Sequence, residues 1–483
     1  MNRLTTFVLI IATIPCTVSA KGKDHLSLCW GKQVKPLQES YINLNYRESS
    51  HTIAHLFEPW QTYHSAATGV IWCNGDQFLK KDTLERWERT SYSKTQLNKT
   101  ELLYLDYNDK DLSKITKSNF DEEPFAEARY SPTLLISYFH NLAPAPESNS
   151  DKDYAIYIQT IDKTIVQLYI RKSDDLLEKV TTFSNDDLYG DVTNTIYYSG
   201  FSENSAFFYP SIICVDKTNG KVKDTIMILS AAITSTAGPL LERPADYHFS
   251  EEKVIVPELS VEHYNNHIHF ITLKHTNGRS MVVEFKDYLL VAEAPLNSEN
   301  GELIINEAKK IAPGKPIRYF IFGHYHPDYI GGMRAFVHKG ASVLCSKGDS
   351  AYVRYLATAA HTLKPDSLQL QPHPLQIEDI GEHKIISDGT YKMDIHLIGT
   401  KSEHTKDYLI YYFPLEKMVF EDDLAGIPEK GPIRKAGKRQ TGLYNAIKDL
   451  KLDVTTVEQS WPVGYGAKTE IPFSDLETAM TVK

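Results

Sequence analysis

The chain has 483 residues, 42% of them hydrophobic and 24% charged, with a formal net charge of −10. That length calls for two or three domains with ample core, and an acidic balance without a basic stripe argues against nucleic acid as a partner. Beyond the first twenty residues no segment is apolar over the length a membrane-crossing helix needs.

In chain order, residues 1–20 read as a secretory signal. Arg3 is its positive segment, Phe7 to Ile14 its apolar core, and Val18-Ser19-Ala20 a small-residue cleavage site. Pro15 before Cys16 does not suit a lipoprotein-type site. The expectation is a soluble exported protein, periplasmic or secreted, with no transmembrane segment in the mature chain. Cys29, Cys73, Cys214 and Cys345 remain, and no pair has zinc-ribbon spacing. Cys29 and Cys73 each adjoin a Trp; they either form a disulfide or stay as two buried thiols. Cys214 and Cys345 lie in apolar strand-like runs and read as core. Residues 21–120 mix polar helical pieces with short strands, and Gln77 to Arg89 reads as an exposed amphipathic piece.

Strands are expected at Tyr154 to Ile158, Ile165 to Ile170, Leu177 to Phe183, Thr193 to Tyr198 and Pro210 to Val215, with a turn at Asn219-Gly220. Short strands without intervening helices predict an antiparallel sheet. The passage from Tyr189-Gly190-Asp191-Val192-Thr193 through Phe207-Phe208-Tyr209-Pro210-Ser211 resembles the half-barrel domain of the periplasmic lipoprotein-carrier family. That implies a mainly antiparallel β domain over 21–245, with a concave apolar face for a lipid or protein partner. Gly238-Pro239, Arg243-Pro244 and Pro257 punctuate a charged stretch, placing a boundary near 239–256 and a second domain over 252–483.

In that second domain, Leu289 to Ala292 reads as a strand ending at Glu293, and a helix is expected near Gly301 to Ile311. The apolar run Ile317 to Phe322 reads as a buried strand leading into Gly323-His324-Tyr325-His326-Pro327-Asp328-Tyr329-Ile330-Gly331-Gly332. Two imidazoles and a carboxylate at alternating positions after a rigid strand suit a metal ion, and neutral imidazole is the commonest protein ligand for zinc. Downstream, His404 precedes the strand Tyr408 to Phe413, and Met418 to Phe420 ends in Glu421-Asp422-Asp423. A basic loop, Lys430, Arg434, Lys435, Lys438 and Arg439, follows; it is either solvated or binds an anionic substrate group through Arg434 and Lys438. A last helix is expected near Leu443 to Leu450, before Val457 to Gly466. His338, His361, His373, His383 and His396 lack motif context and read as surface or core.

The order His-x-His-x-Asp, His before a strand, then Asp at the end of the next strand resembles the metallo-β-lactamase superfamily. The resemblance implies a four-layer αββα sandwich over 252–483, preceded by the half-barrel-like β domain. It implies that His324, His326 and His404 hold one metal ion. The second metal of the family would use Asp328, a His in place of Tyr329, Asp423 and a last His in place of Tyr465. Neutral Tyr is a poor zinc ligand, so one ion per chain is expected, zinc foremost, with iron or manganese as alternatives. Asp328 and Asp423 would act on a metal-activated water attacking an ester, amide, thioester or phosphoester of a small-molecule substrate. The competing expectation is a non-catalytic binding protein with a structural or vestigial metal site and a lipid- or partner-binding N-terminal domain.

Overall fold

The computed structural model describes residues 24–482, except 54, 87–88, 98–101, 107–110, 115–126, 148–150, 162, 205–206, 239–244, 247, 250–255 and 465. The expected signal segment, much of the expected boundary and Tyr465 therefore lie outside the described residues. Among the described residues no helix is long and apolar enough to cross a membrane.

The first sheet contains thirteen described strands. One antiparallel meander runs from Tyr41–Ile53 to Asp111–Lys114, another from Tyr154–Ile161 to Val222–Thr234, and the two join where Tyr41–Ile53 pairs with Val222–Thr234. The expected antiparallel β domain is present. Its first half, however, is not the mixture of polar helices and short strands that the sequence suggested. Tyr41–Ile53 and Thr62–Cys73 are strands of 13 and 12 residues. Within Gln77 to Arg89, read as an exposed amphipathic piece, Phe78–Arg86 is a strand paired on both sides. The charged letters misled because two of them pair within the sheet. Lys80 is only 9% exposed, and its Nζ lies 3.3 Å from Asp82 Oδ2. A buried Lys partnered this way counts as inside, although its letter reads as surface.

Helices His25–Gln33 and Thr133–Leu142 bury Leu26, Cys29, Leu135 and Phe139 against sheet residues such as Ile42, Leu44, Leu168 and Ile213. Cys29 and Cys73 are free buried thiols, so of the two readings the unbridged one holds. The Cys29 thiol donates to Gln33 Oε1 at 3.3 Å, and Thr133 Oγ1 donates to Cys73 Sγ at 3.6 Å.

The C-terminal half contains two sheets. The first runs Leu259–His263, Ile268–Leu273, Gly278–Glu284, Leu289–Ala292, Ile317–Ile321, Ser342–Ser346 and Ile377–Ile380 in spatial order. Its neighbours are antiparallel up to Leu289–Ala292 and parallel beyond it. The second runs His383–Ser387, Lys392–Leu397, Leu409–Phe413, Met418–Glu421, Thr456–Gln459 and Glu470–Pro472. Three separate cores define the layers. Phe270, Leu290 and Ile321 meet Met393, Tyr411 and Phe420 between the sheets. Ile304, Phe336 and Val353 bring helices Ser298–Ile311, Met333–His338 and Ser350–Thr358 onto the outer face of the first sheet. Leu443, Ile447 and Leu476 bring Lys438–Asp449 and Phe473–Thr481 onto the second. Helix, sheet, sheet, helix is the expected sandwich.

The two halves also touch away from the linker. The loop between Tyr41–Ile53 and Thr62–Cys73 carries Trp60, whose ring sits 5.3 Å from Tyr189, 5.3 Å from Tyr352 and 4.7 Å from Tyr355. Lys221 Nζ lies 4.8 Å above the same ring, adding a cation–π contact.

Candidate metal centre

Ile317–Ile321 is a parallel strand held on both sides, buried at all positions but Arg318. A parallel strand covered on both faces needs this continuous apolar run. It aims the following turn rigidly. His326 remains extended (φ −63°, ψ 149°), and Pro327 begins the single helical turn Pro327–Ile330, where its missing N–H leaves no helix bond unmade. Leu409 N donates to Gly323 O at 2.7 Å, tying this loop of one sheet to the strand of the other that follows His404.

The three imidazoles converge. His324, His326 and His404 are 0%, 1% and 8% exposed, and one donor nitrogen of each lies within 4.8 Å of the other two. His324 Nε2 and His326 Nδ1 are 2.9 Å apart. His404 Nε2 is also buried, with the Asp423 carboxylate as its neighbour. The outward nitrogens are engaged elsewhere. His324 Nδ1 is 2.6 Å from Asp422 Oδ2, and His326 Nε2 is 3.1 Å from the Leu56 carbonyl of the N-terminal domain. Carboxylate and carbonyl acceptors on the far nitrogens fix the tautomers and leave lone pairs facing inward, as metal-binding His requires.

Gly323 makes the Asp422 contact possible: a Cβ there would occupy the space of the Asp422 carboxylate. Tyr408 Oη accepts from Asp422 N and Asp423 N, both at 3.1 Å, and holds the acidic turn in place. Tyr325 Oη donates to Leu56 O at 2.7 Å and is also 2.9 Å from Glu58 O, so the N-terminal loop lies on the metal loop as a strap.

Burial, then the neighbouring imidazoles, pushes His324 far below its ordinary pKa and His326 to about 3. Both are therefore neutral at neutral pH, the form in which an imidazole can bind a metal. Burial opposes the charge of Asp423, yet His404 and Arg439 beside it hold its carboxyl below the usual range. Asp423 Oδ2 is 3.1 Å from His404 Nε2 and 3.2 Å from Arg439 Nη1. Burial raises Glu293 and Glu421 to about 8, and burial with adjacent carboxylates raises Asp422 strongly. Behind the imidazoles, then, some carboxyls retain a proton near neutrality, while Asp423 faces them ionised.

The three predicted His come together with Asp423 alongside. Asp328 lies to one side; burial raises its pKa, and its Oδ2 is 3.6 Å from His55 Nε2 on the strap. His55 also stacks on His326 at 4.6 Å. Tyr329 packs 4.4 Å from the His324 ring, and burial keeps its phenol neutral, which suits a place beside the ligands better than among them. Of the basic loop, Arg439 reaches the site. Arg434 and Lys438 are exposed, and Lys438 lines a separate groove of about 580 Å³ with Lys401 and Asp449. The sequence reading did not single out Asp422, His55 or the Leu56 carbonyl. Asp422 was hidden beside a better-placed Asp, and a main-chain carbonyl carries no residue signal. A cavity of about 660 Å³ opens at the seam of the two halves, lined by His55, Tyr189, Leu296, Tyr325, Pro327 and Tyr352.

No family model and no curated protein matches the sequence. Among solved structures, it is similar to a metallo-beta-lactamase from Pontibacter korlensis at 14% identity, over 47% of this chain and 98% of that one, with a TM-score of 0.35. It is similar to the metallo-beta-lactamase FIM-1 from Pseudomonas aeruginosa in its mono-zinc form at 17% identity, over 47% and 95% of the two chains, with a TM-score of 0.34. A double mutant of the sec-alkyl sulfatase PisA1 is similar at 12% identity, over 46% of this chain and 40% of that chain, with a TM-score of 0.33.

Proposed function

We propose that the chain is an exported metal-dependent hydrolase with one catalytic ion, held by His324, His326 and His404. The observation that carries this reading is the arrangement of their nitrogens. The outward ones are hydrogen-bonded to Asp422 and Leu56 O, while His404 Nε2 is buried beside its neighbours and faces Asp423 Oδ2 at 3.1 Å. Three neutral imidazoles suit zinc, with iron or manganese as alternatives. When bound, the ion would supply Lewis acidity, bringing the ionisation of a water towards neutral pH. Asp423, ionised and steadied by Arg439, is placed to accept a proton on Oδ1 or Oδ2. Asp328, paired with His55, orients groups entering from the seam cavity. The neutral Tyr329 phenol adds bulk beside His324 and no charge. The substrate class is a small ester, amide, thioester or phosphoester, and export rests on the apolar segment at 1–20.

The test is metal content by mass spectrometry, wild type against the His324→Ala/His404→Ala variant, with hydrolysis of a panel of those substrates. One equivalent and all turnover should be lost together in the variant. Wild-type protein that resists loading at these imidazoles would sink the reading.

One observation favours a second reading, a binding protein with a vestigial centre. A groove of about 710 Å³ in the N-terminal sheet, with Tyr46, Val70, Tyr92 and Leu229 on its walls, suits a lipid or an apolar peptide. On that reading His324→Ala leaves ligand uptake intact.

A further inference from the structure

The second sheet of the sandwich ends in the hairpin His383–Ser387 and Lys392–Leu397. Its register sets His383 directly opposite His396, and Ile385 opposite Asp394. Side chains alternate across a strand, so Met393 and Ile395 enter the core between the sheets while Asp394 and His396 share the other face. There the rings of His383 and His396 stack with centroids 4.4 Å apart. One donor atom from each of His383, Asp394 and His396 lies within 4.8 Å of the other two.

Cross-strand His pairs stack in many sheets with no ion between them. What distinguishes this one is its unmet polar demand. Asp394 and His396 are each 8% exposed, and His396 Nε2 and Asp394 Oδ1 are buried without a hydrogen-bond partner. Lys392 Nζ, 3.3 Å from Asp394 Oδ2, engages the other carboxylate oxygen. Leaving two buried donors and acceptors unpaired on one small patch is costly, and native structures do so rarely. Burial, then the proximity of His383, also lowers the pKa of His396, keeping the ring in the neutral form that binds metals.

We propose that His383, Asp394 and His396 form a second metal site, for a divalent transition ion of the zinc class, separate from the three-His centre. Two imidazoles and one carboxylate are a recurrent donor set for zinc, copper(II) or iron(II), with remaining positions open to water. Donors around zinc stand closer than 4.8 Å, since each lies about 2.0–2.2 Å from the ion. Closing the set falls to His383, the exposed member, whose ring is stacked on that of His396. His383–Ser387 is the edge strand of its sheet. An ion there would pin that edge to its neighbour and satisfy the two orphaned atoms at once. It would also raise the metal count of the whole chain to two without any second ion in the cleft.

The experiment is zinc titration of chelator-stripped full-length protein, with equivalents counted by competition against a chromophoric chelator. Wild type should take two equivalents, His383→Ala one, and His404→Ala one. Because His383 is exposed, its removal should leave the circular-dichroism spectrum unchanged. In the His404→Ala variant loaded with copper(II), electron paramagnetic resonance should show splitting from two nitrogens, falling to one when His383→Ala is added. If His383→Ala takes as much zinc as wild type, or the copper spectrum of His404→Ala shows no nitrogen, the edge site is refuted whatever the three-His centre does. Loss of zinc in His404→Ala alone would support the hydrolase centre while overturning this one.

Discussion

His324 depends on a residue that never faces the cleft. Asp422 fixes its outward nitrogen, and Gly323 leaves room for that carboxylate. Replacing such outer partners usually costs about 10–100-fold in metal affinity. Asp422→Asn is therefore expected to weaken zinc binding at the three-His centre by about 10–100-fold, measured by competition with a chelator of known affinity. Unchanged affinity would mean that Asp422 serves the fold alone. At this scale the sequence was legible where spacing carries chemistry. His324, His326 and His404 come together, and Asp423 lies beside them. It was illegible where a contact depends on which neighbour turns inward, as with Asp422 beside Asp423, or Arg439 a few residues beyond Arg434.

Among elements, the strap between Tyr41–Ile53 and Thr62–Cys73 matters most. Its fixed end is Trp60, set among Tyr189, Tyr352 and Tyr355. Trp60→Ala should cost about 1–3 kcal/mol, less than a fully buried aromatic because the ring is only partly buried. It should also speed hydrogen exchange at residues 55–61. The same variant should bind zinc more weakly, since His326 loses the carbonyl that steadies it; exchange that stays slow would show the loop is held elsewhere. Periodicity located strands such as Ile317–Ile321 and Leu409–Phe413 almost to the residue, because apolar runs bury whole. It failed over Phe78–Arg86, where inward-facing charges pair with one another and break the alternation that strand reading depends on.

Across the whole molecule, buried acids set how stability responds to pH. Asp349 is pushed to about 8, by burial first and by Asp407 second, and its Oδ1 has no hydrogen-bond partner. A carboxyl raised this far is held protonated in the folded state and ionises readily when unfolded, near pH 3.9. Its contribution is thus fully present below about pH 4 and is lost as pH rises through about 8. Asp349→Asn should flatten the melting midpoint between pH 5 and pH 8.5 and raise it at the alkaline end, by the equivalent of about 1 kcal/mol or more. A midpoint that tracks wild type at every pH would refute this. In the N-terminal sheet, Arg129 bridges Glu48 and Asp224 across the paired strands that join the two meanders. Arg129→Met takes the shared cation from two buried acids, leaving Glu48 with the Tyr130 hydroxyl and Asp224 with Lys217 and the His51 N–H. About 3–5 kcal/mol of destabilisation is expected in urea unfolding.

The strap meets the metal loop through backbone atoms, the carbonyls of Leu56 and Glu58. Any residue at those two positions offers the same oxygens, so alanine at Leu56 or Glu58 would change little at the metal loop. What the contact does constrain is length. Deleting a single residue between Ile53 and Trp60 would move the carbonyls out of register while every remaining side chain stayed the same. Relatives of this chain should therefore vary freely at Leu56 and Glu58 and hardly at all in the number of residues between Ile53 and Trp60.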